Sequence, residues 1–279
     1  MKKTIKKSSW DAVIDTGVCD AYNNADLTIQ LRLGFKQINP SGGAATGTYN
    51  DYGDKSATAR KIVKWSNSEW LSWKTNFVNS AKNFWHGKFW LVNNFSEFEY
   101  VDAGTKYIPN IWCRFELYGE DYSPAKKFHH VIEVVRLDKS ETWFGSHSKL
   151  YDSLDTNSVQ KGTDSKGNPI MQRAHVHEIG HLLGLGHVDI GKKHCPPSGN
   201  TNLGPCYGVA DKDKYSVMGQ GMELRDRHAN PWRRAMIDFT KKGSMTNATD
   251  WAPKRKRHYP RTLPEAASNV HITVKPKRK

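Results

Sequence analysis

The stretch between His175 and His187 constrains this chain more than any other part of its sequence. It reads His-Val-His-Glu-Ile-Gly-His-Leu-Leu-Gly-Leu-Gly-His. His177 and His181 are four residues apart, and residues at i and i+4 share one face of a helix. Two imidazoles on one face can point at a single metal ion, so the spacing predicts a helix that carries two metal ligands.

A glycine and a further histidine extend this pattern. Gly184 comes three residues after His181, and His187 follows three residues later. Glycine adopts the left-handed conformation easily, so the helix is expected to end there and the chain to turn back. A catalytic zinc site takes three protein ligands, with nitrogen at about 2.0–2.1 Å, and leaves a fourth position open. We therefore predict one Zn²⁺ ion bound by His177, His181 and His187.

Glu178 follows the first of these ligands directly. Its carboxylate would lie beside the ligand face, where it can take a proton from a metal-activated water and pass it to a leaving nitrogen. A bare His-Glu-x-x-His also occurs by chance on amphipathic helices. The third histidine argues against chance, and so does Ser216-Val217-Met218-Gly219 about thirty residues downstream, where a methionine-bearing turn is expected.

These motifs resemble those of the metzincin clan of zinc metallopeptidases. The resemblance covers roughly residues 25–243, although only the zinc helix and the methionine turn match by motif. It implies an α+β fold with a twisted, mostly parallel sheet, an antiparallel edge strand and two long helices. A small irregular C-terminal subdomain with one helix would follow. The activity implied is that of a zinc endopeptidase acting on proteins or peptides.

The resemblance also assigns roles to individual residues. The zinc ligands are His177, His181 and His187, the general base is Glu178, and Met218 lies beneath the metal, with Gly184 at the end of the helix. Several families of the clan have a tyrosine two residues after the methionine, whereas this chain has Gln220. Val188 follows the third histidine and precedes Asp189, and it does not place the chain in a particular family.

The resemblance, together with shifts in composition along the chain, implies four segments. They are an N-terminal extension (1–26), an upper catalytic subdomain that ends with the zinc helix (27–187), a lower subdomain with the methionine turn and a C-terminal helix (188–249), and a basic tail (250–279). At 279 residues the chain can bury a sizeable core. The predicted strands are Leu27–Phe35, Phe89–Val92, Ile111–Leu117 and Val131–Leu137.

The sequence also predicts two helices, an edge strand and a loop. Ser66 and Glu69 form a capping box before an aromatic stripe at helical spacing, and Asn230-Pro231 begins a helix expected to end at Gly243. An extended segment around Trp143–Leu154 would be the edge strand that binds substrate by strand addition. Residues 155–169 are polar and predict a loop.

The net charge of +14 favours anionic partners such as nucleic acid or a membrane surface, although a solvated basic surface explains it equally well. Basic runs at Lys254–Arg257 and Lys275–Lys279 lie in the tail. The alternative function is therefore a catalytically silent metallopeptidase scaffold that binds nucleic acid or anionic surfaces through this tail. We expect a monomer without a transmembrane segment. We also expect no classical signal peptide, so the protein would be cytoplasmic or exported by another route.

The four cysteines have different expected roles. Cys195 and Cys206 bracket ten residues, and we favour a disulfide between them, which would imply an oxidising destination. Cys113 alternates within a strand and is expected to be buried. Cys19 is expected to be a free surface thiol or a disulfide partner. A further hypothesis makes Cys19 a zinc ligand in a latent form.

Overall fold

The structure is a computed structural model that describes residues 1–50, 55, 57–93, 99–141, 147–240, 251–255, 261–262 and 272–273. The α-helices are α1 (Asn67–Trp85), α2 (Ala174–Leu182), α3 (Asp211–Lys214) and α4 (Asn230–Thr240). The strands are β1 (Lys2–Ile5), β2 (Asp11–Asp15), β3 (Ala25–Ile38), β4 (Thr46–Asn50), β5 (Ala59–Val63), β6 (Phe89–Val92), β7 (Tyr100–Asp102), β8 (Thr105–Tyr107), β9 (Asn110–Asp121), β10 (His130–Val135), β11 (Leu150–Asp152), β12 (Val159–Thr163), β13 (Pro169–Gln172), β14 (Ala252–Lys254), β15 (Arg261–Thr262) and β16 (Ile272–Thr273). Within the described residues, short 3-10 helices cover Ser41–Gly43, Gly204–Tyr207 and Asp226–Ala229.

The largest sheet has eight strands and is mixed. Its strands follow the order β1-β2-β3-β9-β6-β14, and β10 pairs with both β3 and β11. The pairs β1–β2, β2–β3, β6–β9 and β6–β14 are antiparallel, whereas β10 is parallel to β3 and to β11. Smaller sheets are formed by β4–β5, by β12–β13 and by β7, β8, β15 and β16.

The predicted sheet, mostly parallel with two long helices, is therefore wrong. Parallel neighbours need a crossover of a dozen or more residues. The connections at residues 6–10 and 16–24 are shorter than that, and each joins antiparallel strands. Two long helices are predicted. Among the described helices α1 is long, with 19 residues, but α2 has only nine. Hydrophobic alternation locates strands but does not encode the direction in which they pair.

Two local predictions near the site also need correction. β11 covers part of the segment predicted at Trp143–Leu154, and it pairs in parallel, not antiparallel as expected of the edge strand. Residues 142–146 of that segment lie outside the described residues. Residues 155–169, predicted as a loop, contain β12 and the turn of a hairpin with β13. β12 was missed because its residues are almost all exposed, so the strand has no apolar alternation.

The chain divides into two compact units. The first contains residues 1–31, 84–116 and 225–279, and the second contains residues 32–83 and 117–224. The subdomain boundaries predicted at 187/188 and 249/250 stay a prediction. Over the described part of the chain, no helix has both the length and the apolar character needed to cross a membrane. Most of the predicted basic runs, at 256–257 and 275–279, and the predicted helix end at Gly243 lie outside the described residues.

Trp232 of α4 is one of the large buried side chains of the first unit. Its side chain is fully buried, and its ring centroid lies 5.7 Å from that of Phe89 in β6. The indole nitrogen donates a hydrogen bond of 2.8 Å to the carbonyl oxygen of Arg114. Because a buried indole N–H without a partner would be costly, this bond lets the large ring be buried at no polar cost.

In the second unit an aromatic stripe of α1 supports the candidate site. The centroid distances from Phe35 are 6.4 Å to Trp70, 5.4 Å to Trp73 and 5.1 Å to Phe77. Aromatic pairs of this kind add about 0.5–1.5 kcal/mol each beyond the burial of their area. Phe77 also lies 5.1 Å from the ring of His175, the second residue of α2. The stripe predicted from helical spacing thus packs on β3, and through Phe77 it also contacts α2.

Candidate metal centre

α2 and the turn after it bring three histidines together. The helix carries His177 and His181 and ends at Leu182. Gly184 then has a φ of 86°, a left-handed conformation that a side chain would oppose, and its N–H bonds to the carbonyl oxygen of His181 at 2.8 Å. This reversal returns the chain to the same point at His187. The predicted ligands are therefore supplied by one helix and the bend that follows it.

The Nε2 atoms of the three rings converge. His181 Nε2 lies 3.1 Å from His177 Nε2 and 3.0 Å from His187 Nε2. One ligand atom from each ring falls within 4.8 Å of the other two. In a tetrahedral site with bonds of about 2.0–2.1 Å, ligand nitrogens are about 3.3 Å apart. The three histidines are thus close enough to hold one metal ion, as the sequence predicts.

Each ring is oriented by a main-chain carbonyl oxygen that accepts from its Nδ1 atom. The pairs are His177 with Val217 at 2.7 Å, His181 with Leu185 at 2.8 Å, and His187 with Thr201 at 2.7 Å. A carbonyl oxygen can only accept, so each Nδ1 carries a proton and each Nε2 of a neutral ring presents a lone pair. Such hydrogen bonds fix the ring and increase its basicity as a ligand.

The rings are also held in the neutral form that a metal requires. Burial lowers the pKa of His177 well below its ordinary value, lowers that of His181, and lowers that of His187 to about 4. The lone pair of His181 lies about 3 Å from each of the other two, and without a proton between them such lone pairs repel one another. A cation placed between them removes that repulsion. The donor set therefore fits a divalent metal ion.

Glu178 lies beside the ligands in a cavity of about 820 Å³. Burial, and to a smaller extent the charge of Asp155, raises the pKa of its carboxyl group to about 8, while Lys161 opposes the shift. A divalent cation at the histidines would favour the carboxylate and so lower this pKa. The cavity is lined by strand β12, by α2, by the loop after His187 and by the methionine turn.

The methionine turn is buried and tied to the ligands. Met218 is fully buried, and its carbonyl oxygen accepts from the N–H of Val188 at 3.0 Å. The neighbouring Val217 supplies the carbonyl that orients His177. Gln172 holds the turn from the other side, because its amide donates to the carbonyl oxygens of Gly219 at 2.9 Å and Gly221 at 3.2 Å. The sequence gives no signal for this role of Gln172.

Tyr207 is a further residue that the sequence did not single out. Its ring centroid lies 3.8 Å from that of His187 and 5.8 Å from that of His177, and it lines the cavity. Burial, together with the charge of Glu178, raises the pKa of its phenol to about 12. Gln220, at the position where several metzincin families have tyrosine, lies against Gly162 of β12. The cavity thus contains a tyrosine, but from a different part of the chain.

Tyr207 directly follows a loop that is closed by a disulfide. Cys195 and Cys206 are bonded, with their Cα atoms 5.2 Å apart, and the loop between them contains Thr201. Asp189, two residues beyond the third ligand, donates from its N–H to the carbonyl oxygen of Cys206 at 3.0 Å. The disulfide therefore restrains both the acceptor of His187 and the ring that stacks on it.

The remaining histidine of the motif and the two free cysteines lie outside the metal-binding cluster. His175 is buried, and its Nδ1 donates to the carbonyl oxygen of Asp155 at 2.9 Å. Cys113 is buried. The Cys19 thiol donates to the carbonyl oxygen of Thr16 at 2.7 Å, and burial raises its pKa. Among the described residues the metal-binding cluster consists of histidines alone, so a latent zinc–Cys19 bond has no support.

No protein-family model, curated protein or solved structure matches this chain. The interpretation of the site therefore depends on its own geometry. That geometry establishes three histidines that can hold a metal ion.

Proposed function

We propose that the protein is a zinc-dependent endopeptidase with a site of the metzincin type, in which Glu178 is the general base and acid. The observation that carries this proposal is the convergence of three neutral Nε2 atoms beside a carboxylate in one cavity. The proposal concerns the site and not the sheet, because the arrangement of strands differs from the expected fold.

Zinc is the metal that best suits this ligand set. Imidazole also binds copper, iron and nickel, so the donors alone do not select one ion. Three protein ligands with an open position are typical of catalytic zinc, whereas structural zinc has four. A bound zinc ion would supply Lewis acidity and lower the pKa of a water molecule towards about 7.

The side chains around the ligands have distinct roles in this proposal. The Glu178 carboxylate accepts the proton of the attacking water and later donates it to the leaving nitrogen. The Tyr207 phenol keeps its proton at neutral pH and donates a hydrogen bond to the carbonyl oxygen that becomes negative. A cavity of about 820 Å³ can accept several residues of an extended peptide.

The alternative, a silent scaffold that binds anionic surfaces, has less support. A structural metal site would use a fourth protein ligand, but within the described residues the cluster contains three histidines. Such a site would also have no need of Glu178 beside the ligands. Most of the basic runs in the proposed binding tail lie outside the described residues.

A diverse peptide library incubated with the purified protein tests the proposed activity. We expect cleavage within peptides, its loss on addition of a chelator, and its recovery when zinc is restored, because activation of water requires the metal. The products would be identified by mass spectrometry, and bound metal would be measured in the same sample. Chelator that is already saturated with zinc is the control. Cleavage that continues in the metal-free protein would contradict the proposal.

Replacing Tyr207 with phenylalanine tests the role of its hydroxyl group. We expect kcat to fall about 10²-fold with little change in KM, because one donor to the developing negative charge is removed. The ring remains, so its stacking on His187 and the metal content should be unchanged. Tyr215→Phe is the matched control, since the hydroxyl of Tyr215 bonds to Asp164 at 3.0 Å and does not line the cavity. Equal kcat in wild type and Tyr207→Phe would exclude the role.

A further inference from the structure

Lys161 is the extra residue of a β-bulge in the hairpin of β12 and β13. Gln160 pairs with Met171 and Gly162 pairs with Ile170, so the register passes over Lys161. Bulges redirect side chains and are frequent next to active sites. Here the Lys161 side chain lines the cavity that contains Glu178. An interruption of the strand pairing therefore places a lysine at the site.

The position of this bulge is fixed against the rest of the second unit. A Cβ atom at Gly162 would lie 2.0 Å from Gln220 Oε1, so the strand lies directly on the methionine turn at this point. The Nζ atom of Lys214 donates to the carbonyl oxygen of Thr163 at 3.1 Å. These contacts of the two residues after Lys161 hold the bulge at one place along the cavity.

The charges in the cavity are unevenly distributed. Among the described residues that line it, Lys161 is the only lysine or arginine and Glu178 is the only carboxylate. Lys161 is exposed, and within the described part of the chain no carboxylate forms an ion pair with it. Glu178 is assigned to proton transfer. Among the described residues that line the cavity, Lys161 is then the one charged side chain left to contact a substrate side chain.

We propose that Lys161 makes the enzyme prefer peptides with an aspartate or glutamate close to the scissile bond. This inference rests on the proposed peptidase function and adds the class of substrate. A carboxylate next to the ammonium gains an ion pair, the corresponding amide does not, and a lysine in its place is repelled. For an exposed ion pair we expect a preference of about two- to fivefold in kcat/KM for the acid over the amide.

Matched peptides test this preference. Each set would differ at a single position near the cleaved bond, with aspartate, asparagine or lysine there. We expect wild-type kcat/KM to decrease in that order, the preference to disappear in Lys161→Gln, and the order to reverse in Lys161→Glu. Lys166→Glu is the control, because it makes the same charge change in the hairpin turn outside the cavity. It should keep the wild-type order.

A binding measurement separates a charge preference in peptide binding from one in the rate of cleavage. In a Glu178→Gln background, metal-loaded protein should bind the aspartate peptide about two- to fivefold more tightly than the asparagine peptide, and Lys161→Gln should remove the difference. Melting temperature and metal content of each variant would establish that it is folded and loaded. A wild type that cleaves peptides without charge preference, or a folded Lys161→Glu that keeps the wild-type order, overturns this inference and leaves the peptidase proposal standing. No cleavage by metal-loaded wild type overturns both.

Discussion

Replacing Glu178 with glutamine should lower kcat for peptide hydrolysis by about 10²–10⁴-fold, the usual contribution of a general acid–base group. Glutamine has nearly the same shape but cannot accept the proton of the attacking water. The metal ligands are separate side chains, so zinc should remain bound at one equivalent. Steady-state kinetics together with metal analysis of the same preparation would measure both quantities.

A matched carboxylate on another surface provides the control for this substitution. Glu133 on β10 pairs with Lys36 at 2.9 Å and does not line the cavity, so Glu133→Gln should keep the wild-type kcat. A Glu178→Gln protein that is fully loaded with metal and retains near wild-type turnover would remove Glu178 from the mechanism. Loss of metal from this variant would instead indicate that the carboxylate is a ligand.

Replacing His181 with alanine should abolish metal binding and, with it, peptide hydrolysis. His181 is the central ligand, because its Nε2 atom lies within 3.1 Å of the corresponding atoms of both His177 and His187. Two ligands would remain, which is fewer than a catalytic zinc site uses. Isothermal titration with zinc and metal analysis after dialysis would measure the loss.

The stability of the protein gives a second readout that does not depend on activity. A metal present at about 1,000 times its Kd stabilises the folded state by about 4 kcal/mol. Zinc should therefore raise the melting temperature of the wild type and of a His130→Ala control, since His130 lies outside the cluster, but not that of His181→Ala. Wild-type zinc affinity in His181→Ala would contradict the assignment of the ligands.

The ligands could be predicted because the information that places them is local. The spacing of His177 and His181 follows from one turn of helix, and Gly184 adopts the left-handed conformation that the reversal before His187 requires. β6 likewise has the bounds that its apolar run predicts, Phe89–Val92. Each of these features depends on residues within a few positions of one another.

The features that the sequence did not predict depend on distant parts of the chain. Tyr207, directly after the disulfide-closed loop, contacts His187, and Gln172 of β13 bonds to the methionine turn. Lys161 is directed into the cavity by a register shift that no alternation of apolar residues signals. The direction of strand pairing is also a long-range property, which is why a resemblance based on two motifs gave the wrong sheet.

The three histidine rings of the metal centre are oriented by acceptor atoms that do not belong to side chains. All of them are main-chain oxygens, at Leu185, Thr201 and Val217. An amino-acid exchange alters a side chain but leaves the peptide oxygen in place, so no single exchange at these positions removes an acceptor outright. The geometry of the centre is instead vulnerable to displacement of the backbone. Opening the bridge between Cys195 and Cys206 would free the segment that holds the acceptor at Thr201.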